Sequence, residues 1–295
     1  MLRRLNLFLV FLLMSAPSWA QNQDAVFVGP HIDKLIGEGR YKEAQEFIKS
    51  GIDKSAILKT YSATYYAGAA KFYMEIGSVR DAGEALKAAD TIAANTGVGN
   101  DITAREQAAF LLAQGDYSAA ASMATKAVRE SSYSKVKSVV LAYCRSLEAL
   151  ARLRSGDLKR AEKLIRGALQ DVPKDNDSEP LFASRVLFTG CLIESHLTRY
   201  QEGQELCRRG LEVIEKKKID SRDVSLAHLA LAESFFLSGD LARSRELIAK
   251  SMDHTAKMFQ AQHQDTVSAL DLLPGCRQCG RYLHGPRSSS RCTPS

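Results

Sequence analysis

Few residues in this chain could do chemistry, and their spacing limits what they could do. Ser132-x-x-Lys135 and Ser134-x-x-Lys137 have the interval at which a lysine could activate a serine for acyl transfer. The S-D-N and K-T-G elements that complete such a site are missing, and a Ser/Lys-rich connector yields the match by chance. There is no G-x-x-x-x-G-K-[ST] phosphate loop, no H-E-x-x-H zinc pair and no G-x-S-x-G nucleophile turn. His31, His196, His228, His254 and His263 are scattered without metal-ligand spacing and read as surface or packing residues. The sequence thus predicts a chain that is not an enzyme and has no cofactor or resident metal.

The six cysteines form two sets. Cys144, Cys191 and Cys207 lie in stretches of helical periodicity. Pairing about the intervening turn offsets Cys191 from Cys207 by about one helical turn, ~5 Å of rise. Buried thiols are therefore expected, and a disulfide would be strained. Cys276-x-x-Cys279, His284 and Cys292 form the second set. This run resembles a zinc knuckle, but seven residues separate its last two ligands where that motif places four. In an oxidising compartment such neighbours pair with one another, and the surrounding tail is rich in Gly, Pro, Ser and Arg. A disordered or disulfide-linked tail is expected rather than a zinc site.

The compartment follows from the opposite end. Arg3 and Arg4 precede an apolar run from Leu7 to Met14, then Pro17 and Ser18-Trp19-Ala20. This is the layout of a cleaved secretory signal over residues 1–20. The run is far shorter than the ~20 apolar residues that span a bilayer. No stable membrane span is expected after cleavage, and no Cys follows Ala20 to carry a lipid. A periplasmic or secreted location is expected.

Arg277, Arg281, Arg287 and Arg291 lie in the last twenty residues, and neither end contains an acid. Removing these four and the first two arginines from the 40 Lys and Arg leaves 34, equal to the 34 Asp and Glu. A neutral body argues against a nucleic-acid partner, which needs a concentrated basic stripe. With 45% hydrophobic and 25% charged residues, the chain can build a sizeable core.

Ala, Leu, Glu, Lys and Arg dominate from residue 30, with apolar residues recurring at three and four, so the chain reads as all-α. A longer period overlies this one: a turn residue, an apolar residue two later and a small one five later. The instances are Gly39/Tyr41/Ala44, Gly77/Val79/Ala82, Gly115/Tyr117/Ala120, Gly156/Leu158/Ala161, Thr198/Tyr200/Gly203 and Gly239/Leu241/Ser244. Gly supplies the positive φ that ends one helix, and Asp116, Asp157 and Asp240 can cap the next. Further small residues follow at Gly51, Ala89, Ala127, Ala168, Gly210 and Ser251. Ala70, Ala108, Ala149, Cys191 and Ala232 precede the turns. Together they predict a seam along which paired helices approach closely. Thr103 and Glu106 are expected to form a capping box opening the third hairpin.

With Tyr66, Ala70, Tyr73, Gly77, Ala82 and Ala89 at the signature positions of the second hairpin, the chain resembles a tetratricopeptide repeat array over residues 30–260. Its repeats are longer than the usual 34 residues, as in the kinesin-light-chain type. The resemblance implies a right-handed α-solenoid of about six antiparallel helix hairpins. Residues 261–295 read as an incomplete seventh repeat followed by the tail. The first helices of such hairpins line a concave groove. The family's groove positions, carried over by register, are Lys71, Arg105, Tyr143, Ser146, Arg185, Phe188 and Glu233, a mixture suited to a protein or peptide ligand. The implied function is an exported scaffold or adaptor, with an envelope assembly factor as a more specific version. The alternative is the sensor or substrate-binding part of a larger enzyme, such as a repeat-linked protease whose reading frame is truncated or frameshifted here.

Overall fold

A computed structural model describes residues 18–58, 62–133, 138–173 and 179–258. Most of the expected signal, Ser134 to Lys137, and Cys276, Cys279, His284 and Cys292 lie outside them. The described residues form twelve helices and no strand: α1 Ser18–Gly37, α2 Tyr41–Leu58, α3 Ser62–Glu75, α4 Val79–Thr96, α5 Asn100–Gln114, α6 Tyr117–Tyr133, α7 Ser138–Arg154, α8 Leu158–Gln170, α9 Pro180–His196, α10 Tyr200–Lys216, α11 Arg222–Leu237 and α12 Leu241–Met258. None is long and apolar enough to cross a membrane.

Consecutive helices pair as six hairpins. Each odd-numbered helix also packs against the next odd-numbered one, whereas even-numbered helices meet only the following odd-numbered helix among the strongly packed pairs. Stacking is therefore tighter on the face built by α1, α3, α5, α7, α9 and α11. That difference curves the array into an α-solenoid with those helices inside.

One turn recurs six times. Gly39, Gly77, Gly115, Gly156 and Gly239 have φ between 69° and 87°, and Thr198 takes the same place with φ 63°. After each of them an N–H reaches five residues back: Arg40 to Leu35, Ser78 to Tyr73, Asp116 to Leu111, Asp157 to Arg152, Arg199 to Glu194 and Asp240 to Phe235, all at 2.8–3.0 Å. This bond satisfies a carbonyl left over at the helix end. The expected aspartate caps form as well: Asp116, Asp157 and Asp240 accept from the N–H groups of Ala119, Arg160 and Arg243 at 3.1–3.2 Å.

The small-residue seam is buried throughout, with Ala44, Ala82, Ala120, Ala161, Gly203 and Ser244 facing the preceding helix. A Cβ on Gly203 would stand 2.8 Å from the Cys191 carbonyl oxygen, so no larger residue fits there. The apolar core has two main bodies. One runs through the third to sixth hairpins around Val139, Ile165, Val186 and Ile193; the other joins the first two around Ile32, Ile36, Phe72 and Leu86.

Two local expectations are corrected. Helix α5 begins at Asn100 and not at Thr103, whose N–H already donates to the Gly99 carbonyl at 2.9 Å. Thr103 is thus inside the first turn and caps nothing, and Glu106 turns to Arg105. Cys191 and Cys207 form a disulfide with their Cα atoms 5.3 Å apart. The register is set by the contact of Gly203 with Ser195. One turn back along α9 and one turn on along α10 then bring the two cysteines opposite each other. Cys144 is a buried free thiol.

Candidate binding face

Buried ion pairs on the inner helices follow the repeat. Lys71 Nζ on α3 donates to Asp33 on α1, and Arg185 on α9 holds Asp223 on α11 through two bonds of 2.5 and 2.9 Å. Both pairs are 38 residues apart, one repeat length, so each joins neighbouring hairpins. Arg185 also donates to the Tyr143 hydroxyl at 3.3 Å, and Arg105 donates to Glu106 at 2.9 Å.

These groups converge on Phe182 at the start of α9. Its ring stacks on Tyr143 at 4.9 Å, with Lys71 Nζ 5.2 Å and the Arg105 guanidinium carbon 5.0 Å from its centroid. One aromatic ring therefore meets side chains of α3, α5 and α7. Desolvated cations over an aromatic face gain by cation–π attraction. Burial would by itself raise the Asp223 carboxyl, but the Arg185 guanidinium overrides it and holds the group below the usual carboxylate range. Burial pushes the Tyr143 hydroxyl upward.

A second node lies at the other ends of the inner helices. Glu233 on α11 accepts from Arg154 on α7 at 2.8 and 2.9 Å and contacts His196 Nε2 on α9 at 2.9 Å. Burial opposes its ionisation, yet the bonds from His196 and Arg154 bring its pKa down to about 2.

Of the seven residues taken from the sequence, Lys71, Arg105, Tyr143 and Arg185 meet in the first node and Glu233 builds the second. Ser146 is buried, and its hydroxyl donates to the Tyr143 carbonyl. Phe188 faces the partner helix of its own hairpin, packed on Gly210. Asp33, Glu75, Phe182 and Asp223 were not among the sequence candidates. The signal for two of them was present: Asp33 precedes Lys71, and Asp223 follows Arg185, by one repeat.

Two of the shallow grooves on the convex side bear on binding. One, of about 720 Å³, runs between α4 and α6 over α5 and is lined by Val79, Leu86, Phe110 and Met123. The other, of about 590 Å³, is lined by Arg145, Lys159, Arg160 and Lys163, but Arg145 is engaged by Asp171 and Arg160 by Glu148. Ser225, His254 and Asp220 form a chain with links of 3.0 and 3.2 Å, the order of a nucleophile, base and acid. Ser225 has 0% exposure, and its Oγ also meets Thr255 and the Ser251 carbonyl. No substrate can reach it, and the chain sews α11 to α12. Among the described residues no group of His, Cys, Asp and Glu is placed to hold a metal.

No protein-family model matches the chain, and no curated protein matches it. Several solved structures do. A Rap protein complexed with Competence and Sporulation Factor is 12% identical with a TM-score of 0.62, covering 88% of this chain and 72% of its own. The apo form of RapI is 15% identical with a TM-score of 0.52, covering 80% and 98%. BtubC (BKLC) from P. vanneervenii is 14% identical with a TM-score of 0.48, covering 88% and 97%. The chain has the stacked-hairpin fold of tetratricopeptide-like repeat proteins.

Proposed function

We propose that this chain is an exported, non-catalytic scaffold that binds a protein or peptide on the inner face of its solenoid. The observation that carries the reading is the convergence of charged and aromatic side chains from alternate helices on that one face. Lys71, Arg105, Tyr143 and Phe182 are themselves buried, so this bank offers fixed charges for orientation and rings for affinity to a ligand that enters when the array opens. The Rap protein of the same fold was crystallised with Competence and Sporulation Factor, which supports a binding role for this architecture. The signal-like first twenty residues and the Cys191–Cys207 disulfide support a periplasmic or secreted location, since disulfides persist in oxidising compartments. The neutral body supports a protein ligand over a nucleic acid.

The test is capture of partners from envelope extracts with the chain from Gln21 onward as bait, followed by affinity measurements on variants. Arg105 and Tyr143 are buried, so size-preserving changes are needed to keep the fold. Arg105→Met combined with Glu106→Gln, which leaves no stranded charge, and Tyr143→Phe are each expected to weaken the captured partner at least about tenfold while circular dichroism stays unchanged, in the range of one or two polar contacts. Undiminished affinity in both would remove the inner face from consideration.

A further inference from the structure

Hairpins far apart in sequence touch. The Asp220 N–H donates to the Gly37 carbonyl at 2.8 Å, and the Arg222 N–H donates to Glu75 Oε1 at 2.7 Å across 147 residues of chain. Gly39, at positive φ, lies so close that a Cβ there would stand 3.1 Å from the Asp220 carbonyl oxygen. Gly37 lies against Leu181, where an added Cβ would be 3.4 Å from Cδ1. The end of α1 and the end of α3 thus grip the start of α11, and the curved array is shut over the node around Phe182.

Glu75 is the ionisable element of this grip. It is 2% exposed. Facing it are Tyr41 at the start of α2, Arg185 from α9, and Arg222 and Asp223 from α11. Asp220 acts on Tyr41, and Lys71, one turn back on α3, acts on Asp223. A carboxylate here accepts one backbone N–H and lies near two guanidinium groups, but it has lost its water and sits beside a second, already ionised carboxylate.

We propose that Glu75 and the start of α11 form a proton-sensitive latch, which keeps the superhelix shut when the carboxyl is protonated and loosens when it ionises. The balance of groups supports the direction: burial first and Asp223 second push the Glu75 carboxyl up to about 7, against the partial opposition of Arg185 and Arg222. In an opened array the same carboxyl meets water and returns towards its ordinary value of 4.5. The shut form therefore holds the proton more tightly. Its advantage is full below about 4.5 and falls by up to about tenfold in the shut-to-open ratio for each pH unit up to about 7. Service of the latch as a gate for a ligand rests on the inner-face reading above; the latch itself does not.

The test needs no ligand. Small-angle scattering of the full chain between pH 5 and pH 8 is expected to show a radius of gyration that grows with pH. Hydrogen exchange over residues 219–224, corrected for the intrinsic pH dependence, should show protection at Asp220 and Arg222 falling at least about tenfold while amides of α7 hold theirs. Glu75→Gln keeps the acceptor but cannot ionise, so it should stay shut and protected across the range. A wild-type chain flat in both measurements, or a Glu75→Gln chain that follows the wild type, overturns the latch. If Glu75→Gln does not fold, the wild-type exchange profile decides alone: uniform loss in α7 and at residues 219–224 means general unfolding and defeats the proposal.

Discussion

The Asp223 carboxylate is fully buried and held by two bonds from Arg185. Breaking one side of such a pair strands a charge without water, whereas replacing both sides by apolar groups is often close to neutral. Asp223→Asn is therefore expected to lower unfolding stability by about 3 kcal/mol in urea titration, and Arg185→Met with Asp223→Leu to recover most of that. Glu233 makes a different prediction because its pKa is depressed. Its stabilising effect is complete above the ordinary 4.5 and disappears as pH falls towards about 2. This amounts to at most about 3 kcal/mol. Glu233→Gln should flatten the acid limb of the stability profile between pH 5 and pH 2; an unchanged limb would show that Arg154 and His196 do not hold the carboxylate in solution. At this scale the sequence showed which side chains face inward at Lys71, Arg105, Tyr143 and Arg185. Asp33 and Asp223 stand one repeat from Lys71 and Arg185 and were open to the same reading, whereas Phe182 reaches the node through the summed rotation of successive hairpins, which no local pattern records.

The turns were the most legible elements, since glycine at positive φ and an aspartate cap are local requirements satisfied by adjacent residues. Thr198 is the exception that tests the rule. It sits at φ 63° where the other five turns use glycine, and a β-branched residue there carries roughly 1–2 kcal/mol of strain. Thr198→Gly should stabilise the fifth hairpin by about 0.5–1 kcal/mol net of the added freedom of the unfolded chain, read as a rise in thermal midpoint. The same hairpin holds the disulfide. Its separation of 16 residues predicts that Cys191→Ala with Cys207→Ala, or reduction of the wild type, costs about 2–4 kcal/mol. A midpoint that ignores reductant would mean that the bridge is absent from the purified protein. Helix pairing was read correctly, but the one-turn offset was not, because register depends on where Gly203 meets Ser195 and not on the centre of the turn. Overpacking the seam is a related test: Ala149→Leu should cost about 1–3 kcal/mol.

An open stack of repeats unfolds from its ends, because each hairpin is supported only by its neighbours. Here the bonds from Asp220 to Gly37 and from Arg222 to Glu75 tie the first two hairpins to the start of the sixth. The wild type should therefore melt in urea as one unit. Gly39→Ala places a side chain at φ 69° against the Asp220 carbonyl and should release the first hairpins into a separate, earlier transition. A single transition shifted to lower urea would argue that the clasp is not what couples the two ends. The clasp also fixes a count. Inserting one more hairpin anywhere between α3 and α11 would carry Arg222 past the carboxyl it now meets, and deleting one would leave it short. In a lineage descended from this chain, gain or loss of whole repeats should be rare within that span, with changes of length gathering outside it.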